Sequence, residues 1–436
     1  MNTRSAQADK RFAVVGAGIS GIAAAWELHN AGYQVDLLEQ DDVAGGRFGI
    51  ARLGDRPVMM GGKNLGKKYS ALRKFLAQTG DPKLEPFGIN TSRVVDGELL
   101  TIDSKQSPLQ RLAGLRRMAP LTDLAKLFNL ARQVRSREEN RFLGSQAFTK
   151  IAAASDHKPL SDHFGSRIVH NMFRAMTVRM NGAEPDEVYL GTFGTNLTMI
   201  MDTYDQLTDS IDPVIAALSK QITIKTGSRV QRLVVRDGSV TGLEISERGG
   251  PVTEHPYDGV VIAAPAYAAA EIVKADLPAL AGLLLEVRYF PAAVVLVEYD
   301  RPVFGMDVRA VVMDDGPCSN AGVYGIHDLH IVRYTFSGRH ARPTPSPEQL
   351  EAWIDRAEEQ LLSLLAARGV RRVRSVAKVW EAAYCAYVPF HGSFLDDVRA
   401  RVGTVGGLAL AGDYLRGAPI ESCFRSGTEA AEALLR

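Results

Sequence analysis

The sequence predicts an α/β protein in which one domain is assembled from distant stretches of chain and a second, α+β domain is interleaved with it. Three observations carry this. A short apolar run, Phe12-Ala-Val-Val15, passes directly into the glycine turn Gly16-Ala-Gly18-Ile19-Ser20-Gly21. A second run of buried type, Leu408-Ala-Leu-Ala, closes on Gly412-Asp413 near the other end of the chain. Between them, the alternating pattern of 227–245 reads as paired strands among helical stretches.

The composition is that of a globular chain of two or three domains. Its 436 residues are 46% hydrophobic and 23% charged, so disorder and coiled coil are excluded as descriptions of the whole. Fifty-one Lys and Arg against 50 Asp and Glu exclude a globally basic nucleic-acid binder. Cys318, Cys385 and Cys423 form no CxxC pair, so no metal site and no disulfide framework is expected, and a reducing cytoplasm fits. The apolar stretch after the polar start, Met1 to Arg11, is broken by glycines and by Glu27, His29 and Asn30, so no signal peptide is expected, and no uncharged apolar window is long enough to span a membrane.

Each element of the first stretch follows from local chemistry. Phe12–Val15 reads as a buried parallel strand, Ile22–Asn30 as an alanine-rich helix, and Gln34–Leu38 as a second strand ending on Glu39 and Gln40. Gly16 permits the tight turn, Gly18 lets backbone approach a pyrophosphate, and Gly21 lets helix and strand pack closely. The helix start offers free N–H groups to phosphate, and Glu39 is spaced to hold ribose hydroxyls. This is a Rossmann-like dinucleotide-binding pattern. Gly45-Gly46-Arg47 then adds accessible N–H groups and a charge for phosphate.

With Gly45-Gly46-Arg47 the stretch from Phe12 to Arg47 resembles the FAD-binding proteins of the amine oxidase, protoporphyrinogen oxidase and phytoene desaturase superfamily. The resemblance implies non-covalent FAD. It continues in the hairpin 227–245, with Val230 meeting the adenine through its backbone, and in the strand ending Ala263-Ala264-Pro265. It continues again in Gly412-Asp413 and in Ile420-Glu421-Ser422, which would flank the flavin, with Arg425 an added candidate. A helix is expected over 428–436. Gly61 and Gly62 would let backbone approach the ring, and Lys63 would face the flavin or an acidic substrate. The implied FAD domain comprises 1–90, 210–275 and 395–436. The substrate domain comprises 91–209 and 276–394.

The superfamily's amine oxidases carry a lysine six positions after a proline. Pro291 here is followed at that spacing by Val297, which moves the expectation toward oxidases and desaturases lacking that lysine. Lys63, Tyr204, Tyr384 and His391 are the catalytic candidates. Arg174, Met176, Arg179, Tyr204, Arg339, Trp380 and Tyr387 are the candidates for lining the substrate pocket. The expected activity is hydride removal from a C–H bond, desaturating C–C or C–N in a small or carrier-bound substrate of bacterial secondary or isoprenoid metabolism. The alternatives are an amine or L-amino-acid oxidase, and a flavin-binding partner protein without turnover.

Residues 105–150 hold ten Lys and Arg against three acids, a local excess of seven in a nearly neutral chain. Leu121, Leu124, Phe128 and Ala131 recur there at helical spacing. Such a helix either packs a core stripe or meets an anionic membrane surface or an acidic carrier protein.

Overall fold

A computed structural model of the chain describes residues 10–87, 90–103, 105–314 and 316–436. Residues 1–9, which include most of the polar start, lie outside the described residues. The centre of the fold is a five-stranded parallel sheet. Its order is Thr223–Lys225, Gln34–Leu38, Arg11–Val15, Gly259–Ile262, Leu408–Leu410. The strands thus come from widely separated parts of the chain.

Both faces of this sheet are buried, which is why its strands are apolar throughout rather than alternating. Phe12 and Val14 pack on one side with the helices Ile19–Asn30, Ser70–Gln78 and Ile420–Leu434. Ala13 and Val15 pack on the other with the antiparallel sheet Ser228–Arg236, Ser239–Glu247, Val252–Pro256 and with the helix Ala266–Val273. Asp237 and Gly238 turn the hairpin at φ of 51° and 74°, the left-handed pair that a two-residue hairpin turn needs. The C-terminal helix starts at Ile420, eight residues before the sequence expectation, because Gly427 is inside it. A β-carbon at Gly427 would lie 1.9 Å from Ser20 O, so this glycine sets how closely the first and last helices approach.

A seven-stranded sheet forms the second layer, in the order Arg372–Ala386, Arg288–Tyr299, Ile331–Phe336, Cys318–Val323, Ala310–Val312, Asn90–Val95, Glu98–Asp103. One face packs on the helix Pro347–Leu364 through Val295, Val297, Val332 and Tyr334. The other face, with Val294, Leu296 and Ile331, packs on Val58 and Met60. This second face looks toward the parallel-sheet domain. Helices between 108 and 200 pack together around Phe148, Phe173, Phe193 and Leu197.

Candidate active site

The glycine turn sits at the C-terminal end of the central strand, where the sheet order reverses and ligands of open α/β sheets bind. Gly16 has φ of 98° and donates to Leu38 O at 2.7 Å. A β-carbon at Gly21 would lie 1.8 Å from Gly16 O, so only glycine fits there. Gly18 differs: a β-carbon there would meet nothing within 4 Å, and no side chain caps the helix it begins. Ile19 and Ser20 form that uncapped first turn. The N-terminal N–H groups therefore face open space beside a bare backbone, which fits a pyrophosphate. Gly45 and Gly46, at φ of 114° and 51°, bring the next loop against Gly18.

Glu39 lies at the end of the second strand, as expected, with its carboxylate turned inward. It accepts from Ala17 N at 2.8 Å and from Asp41 N at 3.0 Å. Burial raises its pKa against these bonds. Gln40 beside it is exposed. Ser228 N donates to Glu39 O at 2.7 Å, so Val230, buried, follows close to the acid. Ala264 lies between the strand end and Gly412.

Arg47 joins the two ends of the chain. Its Nη1 donates to Asp413 Oδ2 at 2.6 Å and to Ala383 O at 3.3 Å. Tyr289 Oη donates to Asp413 Oδ1 at 2.9 Å and accepts from Ala266 N at 3.2 Å. Burial opposes the Arg47 charge, but Asp413 and Tyr289 outweigh it and raise the guanidinium's pKa. Gly412 N donates to Ser426 Oγ at 3.0 Å, fixing the strand end to the last helix.

Gly61 and Gly62 fold back on Arg47 and Phe48, and a β-carbon at Gly61 would lie 1.8 Å from Arg47 O. Trp380 covers the neighbouring Gly49. Lys63 is buried: its Nζ donates to Gln206 Oε1 and to Tyr324 O, and lies 3.8 Å from the centre of the Phe87 ring. Burial, then the nearby Arg333, hold its pKa well below the lysine range. Arg179 and Tyr384 lie at the same end of the second layer, where burial lowers the Arg179 pKa and raises that of Tyr384.

Several predicted residues have structural partners in the fold. His391 is buried, bonded through Nε2 to Tyr414 O at 2.8 Å and held near pKa 4 by burial, so it is a core histidine. Tyr387 is buried and its Oη accepts from Ala418 N at 2.7 Å, holding the loop before the last helix. Tyr204 Oη bonds Met199 O, and its ring packs edge-on to Tyr69. Arg174 is paired with Glu184 at 2.9 Å and Asp314 at 3.3 Å, and Met176 is in the helical core. Arg339 is exposed and paired with Asp186 at 2.8 Å. Glu421 reaches sideways to cap another helix, accepting from Ala71 N and Leu72 N, each at 3.0 Å. It also pairs with Arg425, which is thereby a structural partner. Ile420 and Ser422 stay in the first turn of the last helix, with Ile420 against Gly62.

One comparison made from sequence needs correction. Val297 is buried on the helix-covered face, pointing away from Gly61, so its identity says nothing about the site. The residues of that strand facing the site are Val294 and Leu296, neither of them lysine. Arg333 and Tyr289 were missed. Strand alternation was the available signal for Arg333: Ile331 and Thr335 share its face, whereas Val332 and Tyr334 share the helix-covered face.

The basic segment forms the helices Pro108–Met118 and Leu121–Ser136. The packed face of the second helix is Leu124, Leu127, Leu130 and Val134, so the predicted stripe is only partly a core stripe. Leu121 is 60% and Phe128 73% exposed, and Leu109 and Leu112 of the first helix are exposed as well.

An uncapped helix start beside bare glycine backbone and an Arg–Asp clasp are what binding of a dinucleotide cofactor requires. The chain belongs to the flavin-containing amine oxidoreductases, whose family model matches residues 19–435. That membership makes the cofactor a flavin. Polyamine oxidase 2 of Arabidopsis thaliana is 25% identical over 261 residues, 58% of this chain and 50% of that one. L-amino-acid oxidase of Sistrurus catenatus edwardsii is 38% identical over 71 residues, 16% of this chain and 14% of that one. The chain thus spans at most half the length of these relatives. Cyclohexylamine oxidase from Brevibacterium oxydans has the same fold, with a TM-score of 0.75 over 98% of each chain at 21% identity.

Proposed function

We propose that the chain is an FAD-dependent oxidoreductase that removes a hydride from a substrate C–H bond, forming a C–C or C–N double bond. When bound, the flavin accepts the two electrons and the hydrogen. The observation that carries this is the open glycine backbone at Gly18 together with the Arg47–Asp413 clasp. Gly61 and Trp380 would set the ring's position, and the seven-stranded sheet would exclude water above it. Non-covalent binding is supported by the thiols: Cys423, the cysteine beside the last flavin motif, is buried, bonded toward Gly417 O and pushed up to about 12 by burial. An amine or amino acid is the substrate class favoured among the alternatives, since the family relatives named above act on such compounds. The test is to purify the chain, release the chromophore by acid, identify it by mass, and add candidate amines and amino acids without oxygen. A chain that binds FAD but is bleached by none of them has lost the amine and amino-acid reading.

We further infer that the outer face of the helices Pro108–Met118 and Leu121–Ser136 meets an anionic membrane surface. Among the described residues no helix is long and apolar enough to cross a membrane. Exposed Leu109, Leu112, Leu121 and Phe128 alternate with Arg111, Arg116, Arg132 and Arg135, the pattern of an interfacial helix. Three buried, unpaired cysteines support a reducing, cytoplasmic setting for that contact. Co-sedimentation with phosphatidylglycerol vesicles, weakened by Phe128→Glu and absent with phosphatidylcholine, is expected; binding to an acidic carrier protein alone would overturn it.

A further inference from the structure

Lys63 is the one buried lysine among the described residues. Lysine is almost never fully buried unless it is paired with a carboxylate. Among the described residues no carboxylate lies within ion-pair distance of Lys63, whereas Lys126, Lys225 and Lys274 each have one. Its Nζ donates instead to two neutral acceptors, Gln206 Oε1 and Tyr324 O. Two ring faces complete its surroundings, with Nζ 3.8 Å from the centre of the Phe87 ring and 5.0 Å from that of Tyr324.

Four charged groups stand around this neutral shell: Arg333, Glu85, Asp328 and Arg56. Arg56 and Asp328 are paired with each other at 2.8 Å. Glu85 accepts from Gln206 Nε2, on the far side of the amide from Lys63. Arg333 donates through Nη1 to Gly61 O at 2.9 Å, and its charge opposes a second cation nearby. Burial and then Arg333 hold the Lys63 pKa well below the lysine range. The oxygens and ring faces nevertheless suit an ammonium, whose three N–H groups can meet two oxygens and a π-face. The site accommodates the protonated form but lacks the counter-charge that would hold it.

Lys63 directly follows the Gly61-Gly62 turn, against which the flavin ring is proposed to lie. Two residues of chain reach at most about 7 Å, so the Lys63 backbone is within that distance of Gly61. A hydride carries two electrons and one proton, so accepting it adds one negative charge at the ring. Inside the protein that charge reaches a buried lysine with far less screening than in water.

We propose that Lys63 takes up one proton from solvent when the bound flavin is reduced and returns it on reoxidation. The two-electron reduction then carries two protons: one travels with the substrate's hydride and the other binds Lys63 Nζ. By linkage, the protonated lysine makes reduction more favourable. This rests on the proposed flavin site, and it makes Lys63 a redox-linked proton acceptor rather than a ligand of the substrate.

The test measures the midpoint potential of the bound flavin in the holoprotein against pH. A two-electron couple falls by about 30 mV per pH unit for each proton taken up. Wild type is expected to fall by about 60 mV per pH unit, as two such protons require, over a stretch between about pH 7 and pH 9.5. Lys63→Met should show about 30 mV per pH unit there, at lower potential. Lys63→Arg is permanently charged, so it should keep the higher potential with the shallow slope. A second measurement needs no flavin. With Lys63 neutral in the folded chain and protonated in the unfolded one, flavin-free wild type should gain stability over Lys63→Met as pH rises from about 7 to about 9.5 in urea unfolding. Equal slopes in wild type and Lys63→Met, or a stability difference that does not rise with pH, would overturn the proposal. If Lys63→Met fails to fold, Lys63→Arg decides: a slope as steep as wild type's overturns it. A chain that purifies without flavin refutes the cofactor site; a yellow wild type whose reduction follows one proton refutes only this inference.

Discussion

Arg47 and Asp413 are separated by 366 residues of sequence, and 2.6 Å separates Arg47 Nη1 from Asp413 Oδ2. The bond ties the loop after the second strand to the end of the last strand, so it forms only when both ends of the chain have folded together. Asp413 is buried, whereas over a third of the Arg47 side chain is exposed. Asp413→Ala leaves a partly buried guanidinium unpaired and also releases Tyr289. Removing one partner of a buried pair costs about 3–5 kcal/mol, and the exposure of Arg47 puts this case at the lower end. Denaturant unfolding should show that loss, and the purified variant should carry less flavin. Unchanged flavin content would separate the clasp from the cofactor site.

Gly18 and Gly21 should respond to substitution in opposite ways, although the motif treats them alike. Gly18 has φ of −74° and open space where a side chain would be, so Gly18→Leu should fold. Its side chain would occupy the phosphate cradle, and the protein should purify colourless with the melting temperature of the flavin-free chain. Gly21→Ala places a carbon 1.8 Å from Gly16 O, which forces helix and strand apart. Loss of soluble protein is the expected outcome there. A yellow Gly18→Leu protein would move the phosphates elsewhere.

What the sequence made legible was local. The glycine turn, the two flanking strands, the acid and the hairpin are each fixed by residues adjacent in sequence, and their placement agrees with the pattern. The duties of Glu421, Tyr387 and His391 were not legible, because each depends on a partner brought in by tertiary packing: Ala71, Ala418 and Tyr414. Proximity to a cofactor motif along the chain does not reveal these partners, since a helix turns successive side chains in different directions. Arg333 shows the reverse case. It lies in no motif, and only strand register shows that it faces Gly61.

Glu421 offers a direct check on that reassignment. The helix Ser70–Gln78 has no cap of its own, and the two Glu421 oxygens accept its first N–H groups. Glu421→Gln keeps the shape but turns one acceptor into a donor and removes the charge paired with Arg425. A loss of about 1–2 kcal/mol in urea unfolding is expected, with flavin content retained. Flavin lost without any change in stability would instead place Glu421 at the cofactor.

His391 should make the protein acid-labile in a defined window. Burial holds its pKa at about 4, against an ordinary value of 6.5. As pH falls below 6.5 the unfolded chain takes up a proton at this site and the native chain does not, so the unfolded state gains. Native stability falls until pH reaches about 4, where the native imidazole also protonates and the effect levels off. The gap corresponds to about 3 kcal/mol at roughly 1.4 kcal/mol per pKa unit. His391→Gln can still donate to Tyr414 O but does not titrate. The stability advantage of wild type over the variant should therefore shrink steadily from pH 7 to pH 4 when both are unfolded in urea. An advantage that stays constant or widens over that range would mean that His391 is protonated in the native core.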